Sequence, residues 1–131
     1  MTAATYVDSS ALVKLAVEET QSSALRRYLR RRHTLVSSAL ARTEVVRALL
    51  FEGEAAVARG RAVLGRVELV RVNDRVLNAA GVLLPTDVRS LDAIHLATAQ
   101  ELGADLSVIV TYDDRMIETA KRLRMRTASP T

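Results

Sequence analysis

Short apolar stretches typical of β-strands alternate with helical stretches along the whole chain. The strand-like runs lie near residues 5–7, 35–36, 69–72 and 108–110. An alternation of this kind is typical of parallel strands joined by right-handed helical crossovers, with helices covering both faces of the sheet. The sequence therefore predicts an α/β fold with a central, mostly parallel sheet flanked by helices on both faces.

The predicted helices begin at polar residues and end near glycine or proline. They are expected at about 10–17, 21–32, 39–51, 54–66, 75–84, 90–102 and 114–123, with a short polar tail after the last. Thr20, Ser38 and either Asn73 or Asp74 are suited to cap three of them, because their side chains can accept from free amides of the first turn. Gly103 stands where a residue just past a helix end is expected.

Size and composition narrow the class of protein. The chain has 131 residues, 49% of them hydrophobic, which suits one domain spanning 1–131 with one core. Cysteine is absent, and this excludes disulfides, thiolate zinc sites, iron–sulfur clusters and cysteine nucleophiles. No apolar run is long enough to span a membrane and no leader pattern is present, so we expect a cytoplasmic protein without membrane contact.

The net charge of +4 comes almost entirely from arginine, since Lys14 and Lys121 are the only lysines. Arginine binds phosphate through two parallel hydrogen bonds, so the charge is compatible with a nucleic-acid partner. It is equally compatible with a genome rich in arginine codons.

Two aspartates follow predicted strands directly. Asp8 follows the run 5–7, and Asp113 follows the run 108–112. Ligands of open α/β sheets bind beyond the carboxyl ends of the strands, and in a parallel sheet both aspartates would lie at that edge. Each could instead serve only as the N-cap of the helix that follows it.

Two further acids lie in predicted helices. Asp92 is in the first turn of its helix, where the helix dipole favours negative charge. Glu44 is surrounded by apolar residues on a helix that we expect to be largely buried. A carboxylate there needs a bound cation or an ion pair with Arg42 or Arg47.

Four carboxyl groups in one pocket would raise one another's pKa, and a cation would relieve the repulsion. Oxygen ligands without cysteine or histidine suit Mg²⁺, with Mn²⁺ also possible. Such an ion can acidify a water for attack on phosphorus.

The acids and their surroundings resemble the PIN-domain ribonucleases, in particular the toxins of VapBC toxin–antitoxin pairs. The resemblance covers essentially the whole chain and is strongest in four segments, 6–15, 43–49, 91–99 and 110–113. It implies a Mg²⁺- or Mn²⁺-dependent endoribonuclease. It also implies an RNA substrate, a cognate VapB-type antitoxin that fills the acidic pocket, and a homodimer.

The resemblance also suggests roles for the four acids. Asp8 and Asp92 would bind the metal directly, and Asp113 would bind it directly or through water. Glu44 would complete the acidic metal pocket and order or deprotonate the attacking water.

The same resemblance suggests roles for neighbouring residues. Ser9 or Thr111 would hydrogen-bond to the metal ligands. Asp114 competes with Asp113 for the fourth acidic position; we choose Asp113, because it directly follows the Thr-Tyr pair, and expect Asp114 to cap the final helix. Arg115 would flank the acidic edge, where a cation could hold the scissile phosphate.

Other hypotheses stay open at this point. His33 and His95 could act as acid and base on the RNA 2′-hydroxyl, although a surface position for His33 and a hydrogen-bonded core or rim position for His95 are simpler. A PIN-like module could bind RNA or protein without cleavage. A receiver-like phosphoacceptor domain is disfavoured, because neither Lys14 nor Lys121 follows a late strand.

Overall fold

One sheet organises the protein, and a computed structural model describes it over residues 3–131. Its five strands are β1 (Ala4–Val7), β2 (Thr34–Ser38), β3 (Glu68–Val70), β4 (Leu106–Val110) and β5 (Thr127–Ala128). Their order is β3-β2-β1-β4-β5, and every neighbouring pair is parallel. The predicted α/β class with a parallel sheet is confirmed, and β1 and β4 lie side by side at its centre.

The helices connect successive strands. They are α1 (Ser9–Ala16), α2 (Ser22–Arg30), α3 (Ala41–Leu49), α4 (Glu54–Leu64), α5 (Asp74–Gly81), α6 (Ser90–Glu101) and α7 (Asp114–Arg122). Short 3₁₀ turns follow α3, at Leu50–Glu52, and α6, at Gly103–Asp105. Within residues 3–131, no helix is both long and apolar enough to cross a membrane.

The core has two layers, one on each face of the sheet, because successive side chains of a strand point to opposite faces. Val7 and Val110 pack with α1, α2, α3 and α4 on one face. Tyr6 and Ile109 pack with α6 and α7 on the other. On the first face α3 and α4 approach closely at Gly60, where a Cβ would lie 2.4 Å from Leu49 Cδ1.

Several local predictions were wrong. The N-cap of α2 is Gln21, with no side-chain hydrogen bond, rather than Thr20. Ser38 Oγ accepts from the amide of Leu40, but α3 begins only at Ala41. The expected polar tail contains β5, which pairs with β4. Asn73 does cap α5, and Gly103 has the positive φ, 54°, that a residue after a helix often adopts.

Helix α3 is amphipathic rather than largely buried. Only Ala41, Val45 and Leu49 are buried along it. The apolar side chains that follow, Leu50 and Phe51, are exposed, Phe51 completely. The prediction was wrong because apolar residues also lie on faces of this helix that do not contact the core.

Candidate active site

Asp8 lies one residue past β1 and is buried. It caps α1, with Oδ1 accepting from the Ala11 amide at 3.1 Å and from Ser10 Oγ at 2.7 Å. Oδ2 accepts from Thr111 Oγ1 at 2.6 Å. Burial raises the pKa of Asp8, and these hydrogen bonds oppose that rise. The capping role considered for Asp8 is therefore real, and it fixes the carboxyl group at the carboxyl end of β1.

Asp113 lies beyond β4, the strand next to β1. Its Oδ1 accepts from the amides of Arg115 at 2.9 Å and Met116 at 3.4 Å, so Asp113 is the N-cap of α7. The expectation that Asp114 caps this helix is wrong. Asp114 is instead the exposed first residue of the helix, because the extended backbone needed at an N-cap falls on Asp113.

Asp92 is in the first turn of α6, as expected. Burial raises its pKa, and the negative charges of Asp113 and Asp8 raise it further, while His95 and Arg89 oppose the rise. Asp8, beyond β1, and Asp113, at the β4–α7 junction, are therefore both near enough for their charges to act on Asp92 in α6. The structure brings together the acids that the sequence places far apart.

Glu44 is half-buried in the first turn of α3. Its Oε1 accepts from Ser9 Oγ at 2.6 Å and lies 2.6 Å from His95 Nε2. Burial raises the pKa of Glu44, but the His95 and Ser9 hydrogen bonds outweigh it and leave the pKa lowered. The ion pair with Arg42 or Arg47 considered from the sequence is absent among the described residues, since both arginines line a separate cleft.

His95 is buried and also contacts Tyr6, whose Oη lies 2.6 Å from Nδ1. The expectation of a hydrogen-bonded core histidine is confirmed. Its contact with Glu44 was missed, because the two residues are 51 positions apart. His33 is exposed and precedes β2, at the opposite edge of the sheet. This separation is against a catalytic pair of His33 and His95.

A cleft of about 400 Å³ adjoins Asp92. Arg89, Arg115 and Arg122 line it together with Asp92 and Asp114. Arg122 forms a salt bridge with Glu118, in which Nε lies 3.8 Å from Oε1. Arg89 and Arg115 make no salt bridge within residues 3–131. Asp87 and Glu118 also line the cleft, which thus combines four carboxylates with two guanidinium groups that make no salt bridge. Sequence reasoning had identified only Arg115.

The donor chemistry of the site fits a hard divalent cation. Within the described chain, Asp8, Asp92 and Asp113 form no salt bridge with lysine or arginine, so Arg89 and His95 reduce their repulsion only from a distance. No three histidine, aspartate or glutamate side chains of residues 3–131 form a ready-made metal site. Mg²⁺ commonly keeps several of its waters and takes few direct carboxylates, which agrees with an open arrangement.

Comparison with known proteins finds relatives over nearly the whole chain. The family model of the PIN domain matches residues 5–122. Ribonuclease VapC46 of Mycobacterium tuberculosis is 62% identical over 128 residues, which is 98% of each chain. The matched region therefore spans the positions of all four acids.

Solved structures share the fold. The crystal structure of M. tuberculosis VapC20, a sarcin–ricin loop cleaving toxin, superposes with a TM-score of 0.75 at 17% identity, covering 87% of this chain and 93% of that one. A toxin–antitoxin complex from Klebsiella pneumoniae has a chain with a TM-score of 0.73 at 16% identity, and 97% and 98% of the two chains are covered.

Proposed function

Because this chain belongs to the PIN-domain family, and within it to the VapC ribonucleases, we propose that it is a metal-dependent endoribonuclease and the toxin of a toxin–antitoxin pair. The observation that supports the chemistry is the group of acids at the carboxyl edge of the sheet. The charges of Asp8 and Asp113 raise the pKa of Asp92 there, and none of the three acids forms a salt bridge with lysine or arginine in the described chain. Its place of action would be the cytoplasm, where its RNA substrate is found.

Asp8, Asp92 and Asp113 would hold Mg²⁺ or Mn²⁺, the first two directly. When bound, the ion would lower the pKa of a water and neutralise charge on the reacting phosphate. Asp8 suits a direct ligand, because its three hydrogen bonds hold the carboxyl group in one orientation. The pKa values of Asp8 and Asp92 are raised without a metal. A bound cation would oppose this rise, because it favours the ionised carboxylates.

Glu44 would order the attacking water and take up its proton. Its lowered pKa keeps the carboxylate ionised at neutral pH, as a proton acceptor requires. Glu44 remains available to the metal pocket as a fourth acid, because a quarter of its side chain is exposed, 24%.

Arg115 and Arg89 would bind the RNA phosphates that flank the scissile bond. Both line the cleft that contains Asp92, and phosphate contacts of this kind position a nucleic acid without reading its sequence. Arg89 adds a second cation to the one predicted from sequence.

A homodimer would use the exposed apolar patch at the end of α5 and the start of α6. We define this α5–α6 patch by four exposed apolar side chains: Leu77, Val82 and Leu84, which line one cleft, and Leu91, in the first turn of α6. They are between 44% and 79% exposed, and apolar side chains in such number favour a stable subunit interface.

The antitoxin that would fill the acidic pocket would also bind the α3–α4 surface, which comprises the exposed residues of 41–64. Phe51 and Leu50 are exposed there, and Leu50 lines a cleft with Arg61. Arg61 also lines a second cleft, of about 800 Å³, together with Arg42 and Arg47. Apolar side chains next to three arginines suit a partner segment that alternates apolar and acidic residues.

The decisive experiment incubates the purified protein with a mixture of cellular RNA, with and without Mg²⁺ or Mn²⁺. We expect cleavage only with the metal, and products with 5′-phosphate ends. The matched control is Asp8→Asn, which should be inactive. Cleavage that survives a chelator, or that is retained by Asp8→Asn, would contradict the proposal; RNA binding without cleavage would favour a non-catalytic module.

A further inference from the structure

We propose that His95 is a positioning residue that, held in place by Tyr6, orients Glu44 for RNA cleavage. The inference rests on the proposed nuclease function and assigns to that site two residues outside its acidic set. It rests on two consecutive hydrogen bonds, which run from Tyr6 in the second core layer through His95 to Glu44.

Both of these hydrogen bonds are short. Tyr6 Oη lies 2.6 Å from His95 Nδ1, and His95 Nε2 lies 2.6 Å from Glu44 Oε1. The rings of Tyr6 and His95 meet edge to face, with centroids 5.9 Å apart and planes at 79°. The histidine ring is therefore fixed both by its two nitrogens and by its packing.

The proton positions follow from the chemistry of the three groups. The Tyr6 hydroxyl stays protonated, because burial and the nearby charge of Asp8 raise its pKa. When His95 is neutral, this hydroxyl donates to Nδ1, so the ring proton lies on Nε2. When His95 is charged, both nitrogens carry protons. In either state Nε2–H donates to Glu44, and the arrangement does not depend on titration of the ring.

The carboxyl group of Glu44 is consequently held from one side. Ser9 Oγ and His95 Nε2 both donate to Oε1, and these are the hydrogen bonds that the described residues make to this carboxyl group. Two donors on one oxygen fix the rotation of the group and leave Oε2 to accept from water. A general base needs this restraint, because small errors in position cost large factors in rate.

Packing alone does not require these three polar groups. Tyr6 and His95 are buried, and apolar residues of similar volume are often as stable as a buried polar or charged network. The hydrogen bonds run from the buried Tyr6 and His95 to Glu44, a partly exposed acid at the site. This arrangement indicates that they hold the Glu44 carboxyl group in position. Outer partners that orient site residues in this way typically contribute about 10- to 100-fold to activity.

The test compares His95→Leu with His95→Gln and Tyr6→Phe in metal-dependent RNA cleavage. We expect His95→Leu to lower kcat by about 10- to 100-fold with KM unchanged, because RNA contacts are untouched. His95→Gln should recover most of this loss, since its amide can donate to Glu44. Tyr6→Phe keeps the ring and should show a smaller loss of kcat. His33→Gln, at the exposed histidine, is the matched control and should cleave normally.

A second measurement uses the metal-free protein and needs no activity. Nitrogen-15 NMR of the imidazole should show a proton on Nε2 of His95, and Glu44→Gln should shift that resonance while leaving His33 unchanged. A ring protonated only on Nδ1, or a folded His95→Leu with wild-type kcat, would overturn the inference while the nuclease function stands. A wild-type protein that cleaves no RNA would instead overturn the proposed function, and the role of His95 in cleavage with it.

Discussion

Thr111 Oγ1 donates to Asp8 Oδ2 at 2.6 Å and joins the ends of the two central strands. Thr111 directly follows β4 and Asp8 directly follows β1, and both side chains are buried. The contact depends on the parallel pairing of β1 with β4, in which Val7 lies opposite Val110. The register of the sheet thereby sets the position of the acid that we assign as a direct metal ligand.

Removing this hydrogen bond should change the pH dependence of cleavage. The Thr111 hydroxyl lowers the pKa of Asp8 against the effect of burial, so Thr111→Val should raise that pKa further. Because the metal requires the ionised carboxylate, the acid limb of the profile of kcat/KM against pH should move to higher pH. At neutral pH we expect about a tenfold decrease, the order of one hydrogen bond to a charged group. Thr43→Val, exposed on α3, should leave the profile unchanged.

Asp8→Asn should stabilise the metal-free protein while abolishing cleavage. The pKa of Asp8 is raised in the folded state, so the ionised form destabilises the protein, and stability falls as pH rises through that pKa. Thermal melts in a chelator at neutral pH should give a higher Tm for Asp8→Asn than for wild type, and the difference should narrow in acid. Asp74→Asn, an exposed control, should stay within about 0.5 kcal/mol of wild type.

Adding the metal should reverse the order of the Tm values of the wild-type protein and Asp8→Asn. A ligand that binds only the folded state adds about 2.7 kcal/mol at a concentration 100 times its Kd. Mg²⁺ or Mn²⁺ should therefore raise the Tm of the wild-type protein but leave Asp8→Asn nearly unchanged. Equal shifts in both proteins would contradict the assignment of Asp8 as a ligand.

Strand-end acids could be predicted from the sequence, because topology decides where they lie. Apolar runs preceding Asp8 and Asp113 indicate strands, and parallel strands bring their carboxyl ends to one edge. The structure places both residues at that edge, with Asp92 near enough for the charge of Asp113 to raise its pKa.

Long-range contacts and exposed apolar faces could not be predicted in this way. Local spacing suggested Arg42 or Arg47 as the partner of Glu44, whereas its partner, His95, belongs to another helix. The strand β5 has only two residues and no apolar run. Phe51 counted toward a buried helix because hydrophobic character alone does not distinguish a core face from a binding face.

Removing the free guanidinium groups of the cleft should weaken RNA binding more than turnover. Arg115→Gln and Arg89→Gln should each raise KM several-fold with little change in kcat, since both groups face the cleft beside Asp92 and bind phosphate. The dependence of RNA affinity on salt should also become shallower, by about one unit for each phosphate that the variant no longer binds. Arg31→Gln is the control, because Arg31 is exposed at the end of α2. A lower kcat with unchanged KM would contradict this role.

Charge placed in the α5–α6 patch should dissociate the homodimer that we propose. Leu84 and Leu91 are 63% and 50% exposed, and an interface that buries them cannot accept unpaired carboxylates without a large desolvation cost. Size-exclusion chromatography with light scattering should give a dimer mass for wild type and a monomer mass for the double variant Leu84→Asp, Leu91→Asp. Leu50→Asp, which places the same charge on the α3–α4 surface, should remain dimeric. A wild-type monomer, or dissociation by Leu50→Asp alone, would assign the α5–α6 patch to another partner.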